Sequence, residues 1–223
     1  TNTLLFSVPP IDGLVVSPGL KSFVKPDYYS SPFILMDIGK EMAKEPYGKI
    51  TNAYRFYNKV IDEMESSDNA IGGRVLIIIP DDFNLDTHLK LAKAWLESTE
   101  RYLIERRLRG MGYEMIDVLV IRRVIKDLVT ANVDLSPFIP FIRNYDLAIA
   151  IPANESTALK NIDVKCRYYP GQCITHINLI INELMSHGSF WIHLLGPTIP
   201  ILRAFMGKVT SADTTGHTSY VIR

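Results

Sequence analysis

Residues 191–218 read WIHLLGPTIPILRAFMGKVTSADTTGHT. A short apolar run ends in Leu-Gly-Pro, a segment with helical spacing follows, and a second run leads to Asp213. This order is typical of a strand, a turn, a helix and a further strand with an aspartate at its carboxyl end. In parallel α/β barrels the reacting groups lie at the carboxyl ends of the strands. The stretch therefore predicts an α/β fold and makes Asp213 the first candidate for a reacting residue.

Other apolar runs along the chain have the composition of strands that are buried on both faces. They are rich in β-branched and aliphatic residues and lack strict alternation, which is typical of a parallel sheet. The clearest runs cover residues 33–37, 74–79, 116–121, 146–151, 190–194 and 208–212, and weaker candidates cover 14–17, 164–168 and 219–222.

Segments with helical spacing of apolar residues separate these runs. They predict helices over residues 49–65, 85–109, 174–187 and 199–206. Alternating strands and helices favour βαβα connections with right-handed crossovers, and no repeat or linker divides residues 1–223. We therefore expect one domain, a (β/α)8-type barrel in complete or minimal form, with an open doubly wound sheet as the alternative.

The composition is that of a soluble globular protein. The chain has 223 residues, 47% of them hydrophobic, and carries 24 basic and 24 acidic side chains. Because the net charge is zero, any nucleic-acid binding must rest on a local patch. Four arginines crowd the end of the longest predicted helix and form either a solvated helix end or a track for phosphates: Arg101, Arg106, Arg107 and Arg109.

The cysteines and the hydropathy pattern indicate a cellular location. Cys166 and Cys173 are expected to be two separate thiols rather than a disulfide, and their spacing does not predict a zinc site. No basic and apolar leader opens the sequence, and no apolar run approaches the ~20 residues of a membrane span. We expect a cytoplasmic protein that does not associate with membranes and needs no metal or cofactor.

Polar residues follow most of the predicted strands and should converge at one edge of the sheet. Neighbouring carboxylates there can divide into a nucleophile and a general acid or base, because like charges push their pKa values apart. Structural explanations stay open: helix capping, turns and, for the histidine, a place in the core. The candidates are Asp37, Asp81 with Asp82, Arg122 with Arg123, Pro152 to Asn154, His193 and Asp213.

Four of these segments together resemble one enzyme family. The runs FILMDIG, RVLIIIPDD, DLAIAIPANES and residues 191–218 are similar in order and approximate spacing to the tRNA-guanine transglycosylase superfamily. The similarity is closest to its divergent branch that inserts 7-deazaguanine bases into DNA. It extends from about Ser17 to Thr218, and its most specific part is the final segment.

The resemblance implies exchange of guanine for a 7-deazaguanine in DNA or RNA through a covalent glycosyl-enzyme. By position, Asp213 matches the nucleophile that attacks the ribose C1′, and Asp37 matches the acid/base. Asp81 matches the carboxylate that reads the guanine edge. The strand-end positions and the resemblance together leave these further substrate-binding candidates: Asp82, Arg122, Pro152, Ala153, His193 and Gly196. Either a partner subunit or a second copy supplies the grip on the nucleic acid, or the substrate is a free nucleoside or nucleotide.

The sequence also departs from the family pattern. Asp37 is followed by Ile-Gly-Lys instead of Ser-Gly-Gly, and Arg122 stands where the family often has glutamine. Pro152-Ala153 replaces a Gly-Gly pair, and no module of three cysteines and a histidine follows Asp213. A non-catalytic barrel that binds nucleic acid or a partner is therefore the alternative, and an unrelated barrel enzyme is a third.

Overall fold

The computed structural model describes residues 13–18, 29, 31–38, 46–67, 71–122, 124–127, 132–153, 155–156, 164–165 and 170–213. Strands and helices alternate through most of these ranges, as the apolar runs predict. The elements are, in chain order, β1 (Leu14–Val16), β2 (Phe33–Met36), α1 (Pro46–Glu65), β3 (Gly73–Ile78), α2 (Leu85–Leu96), α3 (Thr99–Gly110), β4 (Tyr113–Val120), β5 (Ile125–Asp127), β6 (Asn132–Val133), α4 (Ile139–Asn144), β7 (Leu147–Pro152), β8 (Glu155–Ser156), β9 (Val164–Lys165), α5 (Pro170–His187), β10 (Ile192–Leu195), α6 (Ile199–Phe205) and β11 (Ser211–Asp213).

Seven of the strands form one parallel sheet. Its order is β1-β2-β3-β4-β7-β10-β11, so strands are added in the order of the chain. An open doubly wound sheet instead reverses its strand order at a switch point. The sequential order is that of a barrel.

The packing of the two sheet faces shows that the sheet curves around an interior. One face packs against the helices in a large core that includes Tyr57, Trp95 and Phe205. The cluster on the other face is built from strand residues alone: Leu35, Leu76, Ile78, Val118, Val120, Ala148 and Ala150. In a sheet covered on both faces, helices would contribute to both clusters.

Two aromatic rings span this interior. Phe33 on β2 stacks on Trp191, which directly precedes β10, with 5.8 Å between ring centroids. Three strands separate β2 from β10 in the sheet order, so the rings meet only because the sheet bends back on itself. The fold is therefore α/β with a nearly closed, barrel-like parallel sheet.

The longest predicted helix is in fact two helices. Residues 85–109 divide into α2 and α3 at Glu97 and Ser98. The Ser98 hydroxyl donates to the Trp95 carbonyl at 2.7 Å and accepts from the Arg101 amide at 3.1 Å, so it ends one helix and caps the next.

A few strand expectations also change. The final described strand begins at Ser211 rather than residue 208. Residues 164 and 165, the described part of the 164–168 run, form β9, which pairs antiparallel with β8 outside the main sheet. The 219–222 candidate lies outside the described residues. Helix α4 and the β5–β6 pair were not predicted.

A buried carboxylate fastens the helices to the sheet. Asp117 on β4 is 1% exposed and accepts from the Trp95 indole Nε1 at 2.8 Å and from Arg101 Nε at 2.6 Å. Burial raises the pKa of Asp117, and the two donors only partly offset that effect. The pair therefore ties α2 and α3 to the middle of the sheet.

Cys173 on α5 is disulfide-bonded, which corrects the expectation of two separate thiols. The other cysteine of the chain, Cys166, lies outside the described residues. Disulfides are rare in reducing compartments, so this observation does not favour the cytoplasmic location. None of the described helices is both long and apolar enough to span a membrane.

Candidate active site at the carboxyl ends of the strands

The parallel sheet brings most of the predicted site residues to one edge. Asp37 follows β2, Asp81 and Asp82 follow β3, and Arg122 follows β4. Gly196 follows β10, and Asp213 is the last residue of β11. The residues form two groups, one beside β10 and β11 and the other beside β3 and β4.

In the first group Asp213 is bound to His193. His193 Nε2 lies 3.1 Å from Asp213 Oδ1, and His193 Nδ1 lies 2.8 Å from the Ser211 hydroxyl. The row Ala150, His193 and Ser211 is in register across three strands, which sets the imidazole beside the hydroxyl. His193 is 1% exposed and the Asp213 side chain 18% exposed, so the carboxylate is the more accessible of the two.

The second donor to Asp213 is the Gly196 backbone. The Gly196 N–H donates to Asp213 Oδ1 at 3.0 Å. Gly196 has φ 59°, a left-handed backbone conformation that residues other than glycine rarely adopt. Both donors face the same oxygen, and Asp213 Oδ2 has no hydrogen-bond partner within the described part of the chain.

The second group is centred on a buried ion pair. Arg122 Nε donates to Asp81 Oδ2 at 2.8 Å, and Nη2 contacts the same oxygen. Arg122 is 5% exposed and Asp81 8% exposed. The Phe83 ring lies over the guanidinium, 5.3 Å from its carbon, and Arg122 Nη1 is buried without a partner among the described residues.

Asp82 has other partners, Lys49 and the start of α2. Its side chain accepts from Lys49 Nζ and from the Asn84 amide, at 2.9 Å for the amide. Burial raises the pKa of Asp82, but these donors outweigh burial and hold it below its usual value. Asn84 in turn caps α2 through the Thr87 amide at 3.0 Å. The helix-start explanation therefore accounts for the contacts of Asn84 and for one of the two Asp82 contacts, and the other Asp82 contact ties α1 to this loop.

Asp37 is half-buried at the end of β2, where its amide donates to the Val16 carbonyl at 3.0 Å. A buried tyrosine links it to the second group. Burial raises the pKa of the Tyr57 phenol well above its usual value, and the negative charges of Asp37 and Asp81 add to the effect. Tyr57 donates to the Ile78 carbonyl at 2.6 Å, so its hydroxyl lies close to the carboxyl end of β3.

Sequence reasoning missed His88, a fully buried residue of α2. Its Nε2 lies 2.8 Å from the Val120 carbonyl at the end of β4, and its Nδ1 has no partner among the described residues. Burial lowers the pKa of His88, which keeps the ring neutral. Nothing in the helical spacing around residue 88 distinguishes it from an ordinary half-buried helix position.

The β7 candidates contribute backbone rather than free side-chain chemistry. Pro152 is in register with Leu195, and the Ala153 amide donates to the Leu195 carbonyl at 2.8 Å. That amide is therefore engaged within the sheet instead of facing a ligand. Arg123 and Asn154 lie outside the described residues.

The arginine cluster on α3 is largely neutralised by carboxylates. Arg107 contacts Asp62 and Glu65, with 2.7 Å between Arg107 Nη2 and Glu65 Oε2. Arg101 is bound to Asp117 and Arg109 to Glu105. The helix-end interpretation holds for Arg107 and Arg109, in the last turn of α3, whereas Arg101 lies in the first turn of that helix. The ion pairs of these three arginines leave little of their charge for a phosphate track.

No group of three or more histidine, cysteine, aspartate or glutamate side chains within the described ranges has the geometry to hold a metal ion. Comparison with protein-family models, with curated protein sequences and with solved structures finds no match to this chain. The resemblance to the transglycosylase superfamily therefore rests on the sequence segments quoted above.

Proposed function

We propose that this chain is a base-exchange transferase that replaces guanine by a 7-deazaguanine in a nucleic acid, with Asp213 as nucleophile. The observation that carries the proposal is the oriented Asp213 carboxylate. His193 and Gly196 hold Oδ1, while Oδ2 stays unengaged by the described residues at the carboxyl edge of the sheet. A nucleophile needs such an oriented and accessible oxygen.

The reaction then proceeds in two displacements. Asp213 Oδ2 forms a bond to the ribose C1′ while the bond from C1′ to guanine N9 breaks, and the departing guanine takes a proton from Asp37. The incoming 7-deazaguanine gives its N9 proton to Asp37, and N9 displaces the carboxylate from C1′. Two inversions give overall retention at C1′.

The finer fold belongs to the same proposal. A (β/α)8-type barrel needs one strand more than the seven in the described sheet. An eighth strand between β11 and β1 would close it. Presenting a nucleotide to the site requires its base to leave the stack, which favours a single-stranded or looped substrate or help from a partner subunit. A cytoplasmic location is the matching expectation for a protein that modifies cellular nucleic acid.

A second candidate function is a non-catalytic barrel that binds nucleic acid or a partner. The buried Asp81–Arg122 pair favours it, because the carboxylate expected to read the guanine edge is already paired with a cation. Asp82 is likewise paired, with Lys49. In this alternative neither carboxylate is available to a base, and the outer surface of the barrel binds the nucleic acid or partner.

Guanine exchange into tRNA and into single-stranded DNA separates the two candidates. We expect wild-type protein to incorporate labelled guanine, and Asp213→Asn to lose the activity by about 1,000-fold or more with an unchanged melting temperature. Asp146→Asn is the matched control, since Asp146 is exposed at the amino end of β7 on the opposite edge of the sheet.

Calorimetry with free bases tests the base site even if neither tRNA nor single-stranded DNA is the substrate. Guanine, 7-cyano-7-deazaguanine and its aminomethyl relative are titrated into wild type and Asp81→Ala. Binding that is lost in Asp81→Ala, with circular dichroism showing that the variant is folded, supports the transferase. Absence of binding by all three bases, with folded protein and no exchange, would replace it by the non-catalytic barrel.

A further inference from the structure

A continuous chain of hydrogen bonds runs from the barrel interior to Asp213. Trp191 Nε1 donates to the Ser211 hydroxyl at 2.8 Å, and Ser211 Oγ lies 2.8 Å from His193 Nδ1. His193 Nε2 then lies 3.1 Å from Asp213 Oδ1. Four side chains are thus connected in series. Trp191 directly precedes β10, His193 is on β10, and Ser211 and Asp213 are on β11.

For a neutral imidazole the chain has one consistent polarity. A carboxylate oxygen only accepts, so the proton must sit on His193 Nε2. Nδ1 then accepts from the Ser211 hydroxyl, whose oxygen accepts from the Trp191 indole, a group that only donates. Trp191 itself is fixed by its stack on Phe33 and by Arg74, whose guanidinium carbon lies 5.4 Å from the ring centroid.

The order of serine, histidine and aspartate is also that of a hydrolase triad, but the hydrogen bonds and the positions along the strands oppose that role. In a triad the serine is the group that meets the substrate, and the aspartate is buried behind the histidine. Here the Ser211 hydroxyl, at the amino end of β11, already accepts from the Trp191 indole, and Asp213 is the member at the carboxyl end of the strand. The series of hydrogen bonds therefore ends at the carboxylate and can fix its orientation.

We propose that His193 is a positioning residue that orients the Asp213 carboxylate, and that Ser211 and Trp191 hold His193 in its Nε2-protonated tautomer. This inference rests on the proposed function and adds to it the group that sets the rotation of the nucleophile. The imidazole and the Gly196 amide grip one carboxylate oxygen from two directions, so the other oxygen is aimed out of the sheet edge.

Nitrogen NMR of histidine-labelled protein tests the tautomer without any assay of activity. The chain has five histidines, and the signals that disappear in His193→Phe assign the ring. We expect a proton on Nε2 and a bare Nδ1 in wild type. Ser211→Ala should blur this preference and Ser211→Thr, which keeps the hydroxyl, should restore it. A proton on Nδ1 with bare Nε2 in wild type would overturn the proposal.

The Gly196 amide reports the orientation of Asp213 in the same samples. Its hydrogen bond ends on the oxygen that His193 holds. In His193→Phe the ring volume stays but the donor is lost, so the carboxylate should turn and Gly196 hydrogen exchange should accelerate about 10-fold or more. His187→Phe, on an exposed turn of α5, is the control and should leave Gly196 unchanged. An unchanged Gly196 amide in His193→Phe would refute positioning.

Kinetics connect the chain to the reaction. Where wild-type exchange is measured, His193→Phe should lower kcat by about 100-fold with little change in KM, because a misplaced reacting group costs rate rather than binding. His193→Gln, which keeps a donor toward Asp213, should recover part of kcat. Equal kcat in wild type and His193→Phe would contradict the proposal. Absence of exchange in wild type would instead count against the transferase. The two NMR experiments would still test whether His193 orients the Asp213 carboxylate.

Discussion

Arg122 reaches Asp81 with two nitrogens, Nε and Nη2, and both meet the single carboxylate oxygen Oδ2. Both side chains are buried, so each neutralises the other in a place that water hardly reaches. Removing one partner leaves an uncompensated buried charge, which typically costs about 3–5 kcal/mol. We expect Arg122→Met and Asp81→Asn each to lower the free energy of unfolding by about that amount in urea titrations.

The double variant distinguishes a true pair from two independent losses. Asp81→Asn combined with Arg122→Met removes both charges, so its cost should be clearly smaller than the sum of the single costs. A strictly additive result would show that the ion pair does not couple the two residues.

Acid should destabilise the protein through His88. Burial lowers the pKa of this ring in the folded state, whereas in the unfolded chain it takes up a proton near pH 6.5. Below that pH the unfolded state binds more protons, so the free energy of unfolding falls as pH falls. In His88→Gln we expect the slope between about pH 5 and 6.5 to be smaller by up to about 1.4 kcal/mol per pH unit.

The free energy of unfolding of His88→Gln at neutral pH depends on packing and on one hydrogen bond, not on titration of the ring. His88 also donates to the Val120 carbonyl, and glutamine keeps a donor of similar reach. A pH slope identical to that of wild type in His88→Gln would show that the ring does not titrate differently in the two states.

Ser98 should be worth a measurable amount as the cap of α3. Its oxygen accepts from the Arg101 amide, and loss of such a cap typically costs about 1 kcal/mol. Chemical denaturation of Ser98→Ala should show that loss, while Ser98→Asp, which keeps an acceptor, should retain most of the stability. Equal stability of Ser98→Ala and wild type would mean that the helix boundary lies elsewhere.

Gly73 should tolerate no side chain. It opens β3 with φ 140°, and a Cβ there would overlap the carbonyl oxygen of Pro32 and lie 2.8 Å from its carbon. We expect Gly73→Ala to cost about 2 kcal/mol or more in thermal or urea unfolding. Gly110→Ala is the matched control, because nothing lies within 4 Å of its Cβ and helix propensity should raise stability by about 0.5–1 kcal/mol.

The strands were largely predictable because a strand buried on both faces must be a continuous apolar run. The runs at 74–79 and 146–151 coincide with β3 and β7 to within one residue at each end. The break at Ser98 was not predictable from periodicity, since the apolar stripe continues through it. The break depends on the hydrogen bonds of one hydroxyl, that of Ser98. A single serine within a helical pattern is too weak a signal to predict a helix boundary.

The site was predictable as a set of strand ends but not as a set of contacts. The order of strands places Asp213 and His193 on neighbouring strands, whereas their hydrogen bond depends on the register of His193 opposite Ser211. Register between parallel strands is set by packing over the whole sheet and leaves no mark at residue 193. The Asp81–Arg122 pair was missed for the same reason. The catalytic roles assigned from the resemblance stay predictions.

The sequential strand order has a consequence for synthesis on the ribosome. Each strand of the sheet borders the one made before it, so a nascent chain can add strands to one growing edge without reopening earlier pairings. Asp213 is on the last of these strands, and His193 is on the one before. A chain truncated or stalled before β10 would therefore carry five of the seven strands of the described sheet but neither His193 nor the proposed nucleophile, Asp213.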